Sequence, residues 1–152
     1  MKQFLALTLL LAGAVSPALG QSVPDRPVML QPMMLDGRPI APAGSVAEVV
    51  GLKKAGGDGF ASVRGAPSLQ GAERGRLTLG QHVIMLNEDE STRKTGFVGV
   101  LYVEAARDQS ADLEQVCGIE NPPSPTKTEK KLYTGPCKSG WVARRFVKVL
   151  AD

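Results

Sequence analysis

The sequence predicts an all-β protein, a small sandwich or barrel of about five short strands. Three observations point there. From Ser45 onward, short runs rich in Val, Ile, Leu and Phe alternate with clusters of Gly, Pro and Asp that punctuate turns. Helical periodicity is weak along the same stretch. Aromatics make up only 5% of residues, so a core must be assembled from aliphatic side chains at alternating positions.

The first twenty residues read as an export signal rather than as part of the fold. Lys2 gives a positive start, Phe4 to Val15 is an apolar run, and Ser16-Pro17-Ala18-Leu19-Gly20 supplies small residues for cleavage after Gly20, or after Ala18. The apolar run is 12 residues long before Ser16-Pro17 breaks it, short of the ~20 that a spanning helix needs. No cysteine follows the cleavage region to carry a lipid. Residues 21–44 hold Pro24, Pro27, Pro32, Pro39 and Pro42, which favour extended backbone, and read as a Pro-rich linker. Met29-Leu30 and Met33-Met34-Leu35 are unusually apolar for a spacer and are alternatively a segment that packs on the domain or on a partner. Residues 45–152 form the domain.

Within it, Val46 to Lys53 is the first strand, and Gly56-Gly57-Asp58-Gly59 forces a turn. Phe60 to Arg64 is the second strand, closed by Gly65-Ala66-Pro67. Gln81 to Leu86 is the third and Thr95 to Val103 the fourth. Gly140 to Leu150 holds the fifth and a terminal edge. Val63, Val83, Met85, Val98, Val100, Val142 and Val147 fall at alternating positions that would line an interior. Glu104 to Val116 contains helix formers but reads slightly better as a polar loop. Asn121-Pro122-Pro123-Ser124-Pro125 excludes helix and central strand alike. Cys117 and Cys137, in an exported chain, are expected to form a disulfide that clamps this loop, with two free thiols as the alternative. No transmembrane stretch follows the signal.

Chemistry for catalysis is sparse. The formal charge is +3, with Lys and Arg interspersed among Asp and Glu rather than gathered into the stripe of a nucleic-acid binder. The lone His82 sits in an apolar strand and reads as structural, not as a general base. Glu88-Asp89-Glu90 reads as a solvated turn; a Ca²⁺ site there or at Asp58 lacks EF-hand spacing. The glycine clusters lack the Lys-Ser/Thr of a phosphate loop. Neither catalytic residues, nor a metal site, nor a cofactor is expected.

Binding has better material. Tyr102, Tyr133 and Trp141 are the amphipathic aromatics found at recognition hot spots, with a core role for Trp141 as the competing reading. Arg64, Arg144 and Arg145 suit carboxylates of peptides or cell-wall stems, although Arg64 is equally suited to bracing the fold. Lys127, Lys130, Lys131 and Lys138 read as a soluble loop face.

Several fragments, taken in order, resemble the bacterial SH3 (SH3b) domain family. Its opening strand motif of the Leu-Asn-Val-Arg-Ser-Gly-Pro type is matched by Ala61-Ser62-Val63-Arg64-Gly65-Ala66-Pro67, with Ser62 in place of the Asn. The Leu-x-x-Gly turn leading into a strand is matched by Leu77-Thr78-Leu79-Gly80-Gln81-His82-Val83. The closing Gly-Trp-Val is matched by Gly140-Trp141-Val142, followed by Phe146-Val147. The Gly57–Phe60 turn and the Tyr133–Val142 run look like an exported proteobacterial subgroup that carries this Cys pair. The resemblance covers roughly residues 46–150 and implies an SH3-like barrel with a long disulfide-clamped hairpin insertion over residues 104–137. It further implies a periplasmic or secreted binding module for peptidoglycan or another envelope component. A protein–protein adaptor, or an inhibitor of an envelope enzyme, is the alternative.

Overall fold

A computed structural model describes residues 23–53, 59–104, 113–126 and 128–150. The proposed signal segment, residues 54–58 with most of the expected Gly56–Gly59 turn, residues 105–112 and Lys127 lie outside the described residues. The chain is all-β. Its strands are β1 (Met29–Leu30), β2 (Met33–Leu35), β3 (Arg38–Ala41), β4 (Gly44–Val49), β5 (Phe60–Arg64), β6 (Glu73–Thr78), β7 (His82–Leu86), β8 (Phe97–Tyr102), β9 (Lys131–Leu132), β10 (Lys138–Ala143) and β11 (Val147–Val149). Two single-turn helices, α1 (Glu90–Arg93) and α2 (Leu113–Val116), and a 3-10 turn at Arg144–Phe146 complete the described elements. Among the described residues no helix is long and apolar enough to cross a membrane.

Seven strands form one antiparallel sheet in the order β11-β4-β7-β8-β10-β5-β6. The alternation of the sequence decides which side chain goes to which face. One face carries Ala47, Val49, Ala61, Val63, Leu77, Val83, Val98, Val100, Tyr102 and Val142 in a single buried cluster, with Met85, Phe146 and Val147 packed against it. Strands from both edges of the sheet contribute to this cluster, so the sheet wraps around it. Gly75 on β6 is required by the same packing, since a Cβ there would collide with the Tyr102 hydroxyl.

The opposite face carries a second layer. Ile84, Leu86, Phe97, Leu101 and Trp141 project outward from β7, β8 and β10 and are covered by Val28, Leu30, Leu113, Cys117, Ile119, Tyr133 and Cys137. β8 lies between the two layers, and all six of its residues are buried.

Two sequence expectations change here. The Pro-rich stretch is packed, not a free tether. Val28 and Leu30 are buried, β1 pairs with β9, and the Arg26 amide donates to the Gly65 carbonyl at 2.8 Å. The Asn87 side-chain amide donates to the carbonyls of Gln31 and Pro42. Proline denies donors, but the carbonyls and the alternate side chains of an extended segment remain free to dock. The strand count also rises. β6 is highly charged, with only Leu77 buried, and so lacked an apolar signature. The fifth expected strand is two, β10 and β11, divided by the 3-10 turn. The disulfide is present, with Cys117 and Cys137 Cα atoms 5.2 Å apart.

Candidate functional site

An open groove of about 520 Å³ runs along the outside of β5. β5 alternates, so while Ala61 and Val63 face the core, Phe60, Ser62 and Arg64 face outward. The 3-10 turn adds Arg145 and Phe146, β8 contributes Phe97, and the segment after β4 adds Leu52 and Lys53. Among the described residues the lining holds three phenylalanines and three cations, and no Asp or Glu.

The electrostatics of this surface follow from its neighbours. The Arg64 guanidinium donates to the Gly71 carbonyl at 2.8 Å, a neutral partner that orients it, while Glu73, its cross-strand partner, feels its charge without closing an ion pair. The Arg145 guanidinium stacks 4.7 Å from the Phe146 ring centre. At the rim, Arg76 stacks 3.9 Å from the Phe60 ring and is balanced by Glu73 at 2.6 Å. The Glu73 carboxyl is held below its ordinary range, first by the Ser62 hydroxyl and then by Arg76. Among the described residues, none of Lys53, Arg64 and Arg145 sits in an ion pair.

The structure thus brings two of the six candidate residues together, Arg64 and Arg145. Arg144 points elsewhere and pairs with Glu88 at 2.7 Å. The three large aromatics are interior residues instead of exposed anchors. Tyr102 is 2% exposed, and its burial pushes its phenol pKa upward. The Tyr133 hydroxyl donates to the Cys117 carbonyl and accepts from the Cys137 amide, both at 3.0 Å. Trp141 is 5% exposed. Its indole N–H donates to the Arg26 carbonyl at 2.5 Å, and the Arg26 guanidinium lies 5.8 Å from the ring. Amphipathic rings suit such places because a polar tip inside a folded layer finds a backbone partner. The groove's three phenylalanines were missed because each also reads as ordinary core. The outward phase of Phe60 relative to Val63 on β5 was the available signal.

The acidic turn is committed internally. Glu88 pairs with Arg144, Asp89 with Lys130, and Glu90 with Lys94. Asp89 also caps α1, accepting from the Thr92 amide at 2.9 Å. The Lys130 ammonium, then Ser91 and the Thr92 amide, hold its carboxyl well below the usual aspartate range. Among the described residues no group of three His, Cys, Asp or Glu converges as metal ligands. His82 is half-buried on β7 with a buried Nδ1 that lacks a hydrogen-bond partner. Comparison with protein-family models, curated proteins and solved structures finds no match to this chain.

Proposed function

We propose that the protein is a non-catalytic binding module of the bacterial SH3 type, exported to the periplasm or beyond. Its ligand in this reading is a carboxylate-bearing component of the cell envelope, with peptidoglycan stem peptides the leading candidate. The observation that carries the reading is the composition of the β5 groove. Phe60, Phe97 and Phe146 offer an apolar bed, Lys53, Arg64 and Arg145 offer positive charge, and among the described residues no carboxylate is in the lining, Glu73 at the rim being tied to Arg76 and Ser62. Such a bed selects ligands that combine methyl or alkyl surface with anionic groups.

Two further observations support it. The motif pieces that suggest the family lie far apart in sequence, yet Arg64 and Trp141 are Cα partners across β5 and β10. The Cys117–Cys137 disulfide accords with an oxidising compartment.

The test is co-sedimentation of the oxidised protein with purified peptidoglycan sacculi across a salt series. Saturable pelleting that weakens with salt is expected. Arg145→Glu and Lys53→Glu, both exposed positions, should each weaken it by about tenfold, the loss of roughly one charged contact. Pelleting indifferent to both substitutions would remove the groove from the reading. No pelleting by a folded protein would redirect the search to an envelope protein as partner.

A further inference from the structure

β2 and β3 form a hairpin that belongs to neither layer of the main sheet. Its turn is Asp36-Gly37, both at positive φ (48° and 76°), the two-residue geometry that matches strand twist and fixes the register. The register sets Met34 opposite Pro39 and Leu35 opposite Arg38. Exposure alternates along both strands. Met34, Pro39 and Ala41 are partly buried. Met33, Leu35 and Ile40 point out and are 51%, 59% and 54% exposed, with Arg38 among them. A rigid strand pair that turns three large apolar side chains to solvent is a surface built for contact.

Of the described charges on the hairpin and the adjoining groove, three are arginines (Arg38, Arg93, Arg144) and two are carboxylates (Asp36, Glu88). Beyond Met33 and Met34, across an adjoining groove, lie Arg93 and Arg144. Arg144 is balanced by Glu88, while no described carboxylate pairs with Arg38 or Arg93. Asp36 at the turn is the hairpin's only acid. Strand addition from a second copy is disfavoured on the β3 edge, where Pro39 supplies no N–H and the ladder is irregular. An occupant that needs no strand edge, accepts apolar side chains at shallow depth and attracts arginine is an anionic lipid surface.

We propose that the β2–β3 hairpin lies flat on anionic membranes, with Met33, Leu35 and Ile40 entering the boundary between headgroups and acyl chains and Arg38 and Arg93 contacting lipid phosphates. This surface is separate from the β5 groove and does not depend on that groove's ligand. Arginine stems reach along apolar surface while the guanidinium stays at headgroup level, which is the side chain the position calls for.

The experiment is sedimentation of the chain without the expected signal segment (residues 21–152) with vesicles of phosphatidylglycerol and, separately, of phosphatidylcholine. The expected result is binding to phosphatidylglycerol vesicles that falls with salt, and much weaker binding to phosphatidylcholine. The triple substitution Met33→Ser, Leu35→Ser, Ile40→Ser should reduce binding by at least about tenfold. Arg38→Gln should reduce it by about fivefold, on anionic vesicles only. Thermal unfolding of both variants should match the parent, because the replaced side chains are exposed. Equal binding by the parent and the triple variant would overturn the proposal. So would absence of vesicle binding, including the case where the parent instead forms a dimer that the triple variant does not.

Discussion

The inner cluster and the outer layer of this protein are built by different means. Inside, ten residues from six strands interlock through strict alternation, and most are small: valines, alanines and one leucine, with Tyr102 as the large exception. Nothing but the sheet itself is needed to assemble them. Outside, the layer draws on segments distant in sequence, from Val28 to Trp141, and joins them with a disulfide, the Trp141 indole and the Tyr133 hydroxyl. A sheet can enclose an aliphatic core by period-2 patterning alone. Covering its second face with short irregular segments, whose backbone groups find few ladder partners, takes polar anchors and a covalent closure.

The sharpest way to probe the division is its largest shared component. Trp141 lies on β10 in the middle of the sheet while its ring belongs to the outer layer. Trp141→Ala is expected to destabilise the protein by about 3–5 kcal/mol, measured by urea unfolding. A cost below ~1 kcal/mol would mean that the ring is a surface residue after all, and would return it to the ligand-contact role suggested by the sequence.

Next in size is the closure itself. Cys117→Ala with Cys137→Ala releases a loop spanning a sequence separation of 20, an expected loss of about 3 kcal/mol in the chain-entropy account. The informative readout is where protection against hydrogen exchange is lost. It should fall at Ile119 and Tyr133 and persist at Val83, Val98 and Val100. Equal loss at both sets would show one cooperative unit and erase the distinction.

The smallest effect concerns the edge of the outer layer, where Asp89 ties α1 to Lys130. Its carboxyl is depressed by that ammonium first, and by the Ser91 and Thr92 bonds. A depressed carboxylate stabilises the fold above its unfolded pKa, and the contribution disappears as pH falls toward the lower folded value. Asp89→Ala should therefore cost about 1 kcal/mol near neutrality. The gap between variant and parent should narrow as pH is lowered from about 7 to about 3. A gap that is constant with pH would assign the cost to packing instead of charge.

The same division explains what the sequence made legible. Val63, Val83, Val98, Val100 and Val142 all stand in the inner cluster as alternation implies, with Met85 and Val147 packed against it. β5 matches its expected bounds. The outer layer was hidden because its parts carry no period: Val28 and Leu30 sit among prolines, and Ile119 and Tyr133 flank a proline loop. The cysteine pair marked the place, and the apolar Met29-Leu30 and the alternative core reading of Trp141 hinted at it. For the groove, Arg64 and Arg145 were visible as charges. Phe60, Phe97 and Phe146 were not, because their convergence is a product of strand order, which no local pattern encodes.

β8 carries one further consequence. Phe97-Val98-Gly99-Val100-Leu101-Tyr102 is buried on both faces in the folded protein. Whenever the chain is unfolded, that same hexapeptide has strong β propensity, no charge and no proline, the composition of a segment prone to self-stacking into fibrils. Arg93 and Lys94 precede it and Glu104 follows, charges placed where gatekeepers against aggregation belong. The strand that contributes most to the folded core is thus the one whose exposure the cell has most reason to keep brief.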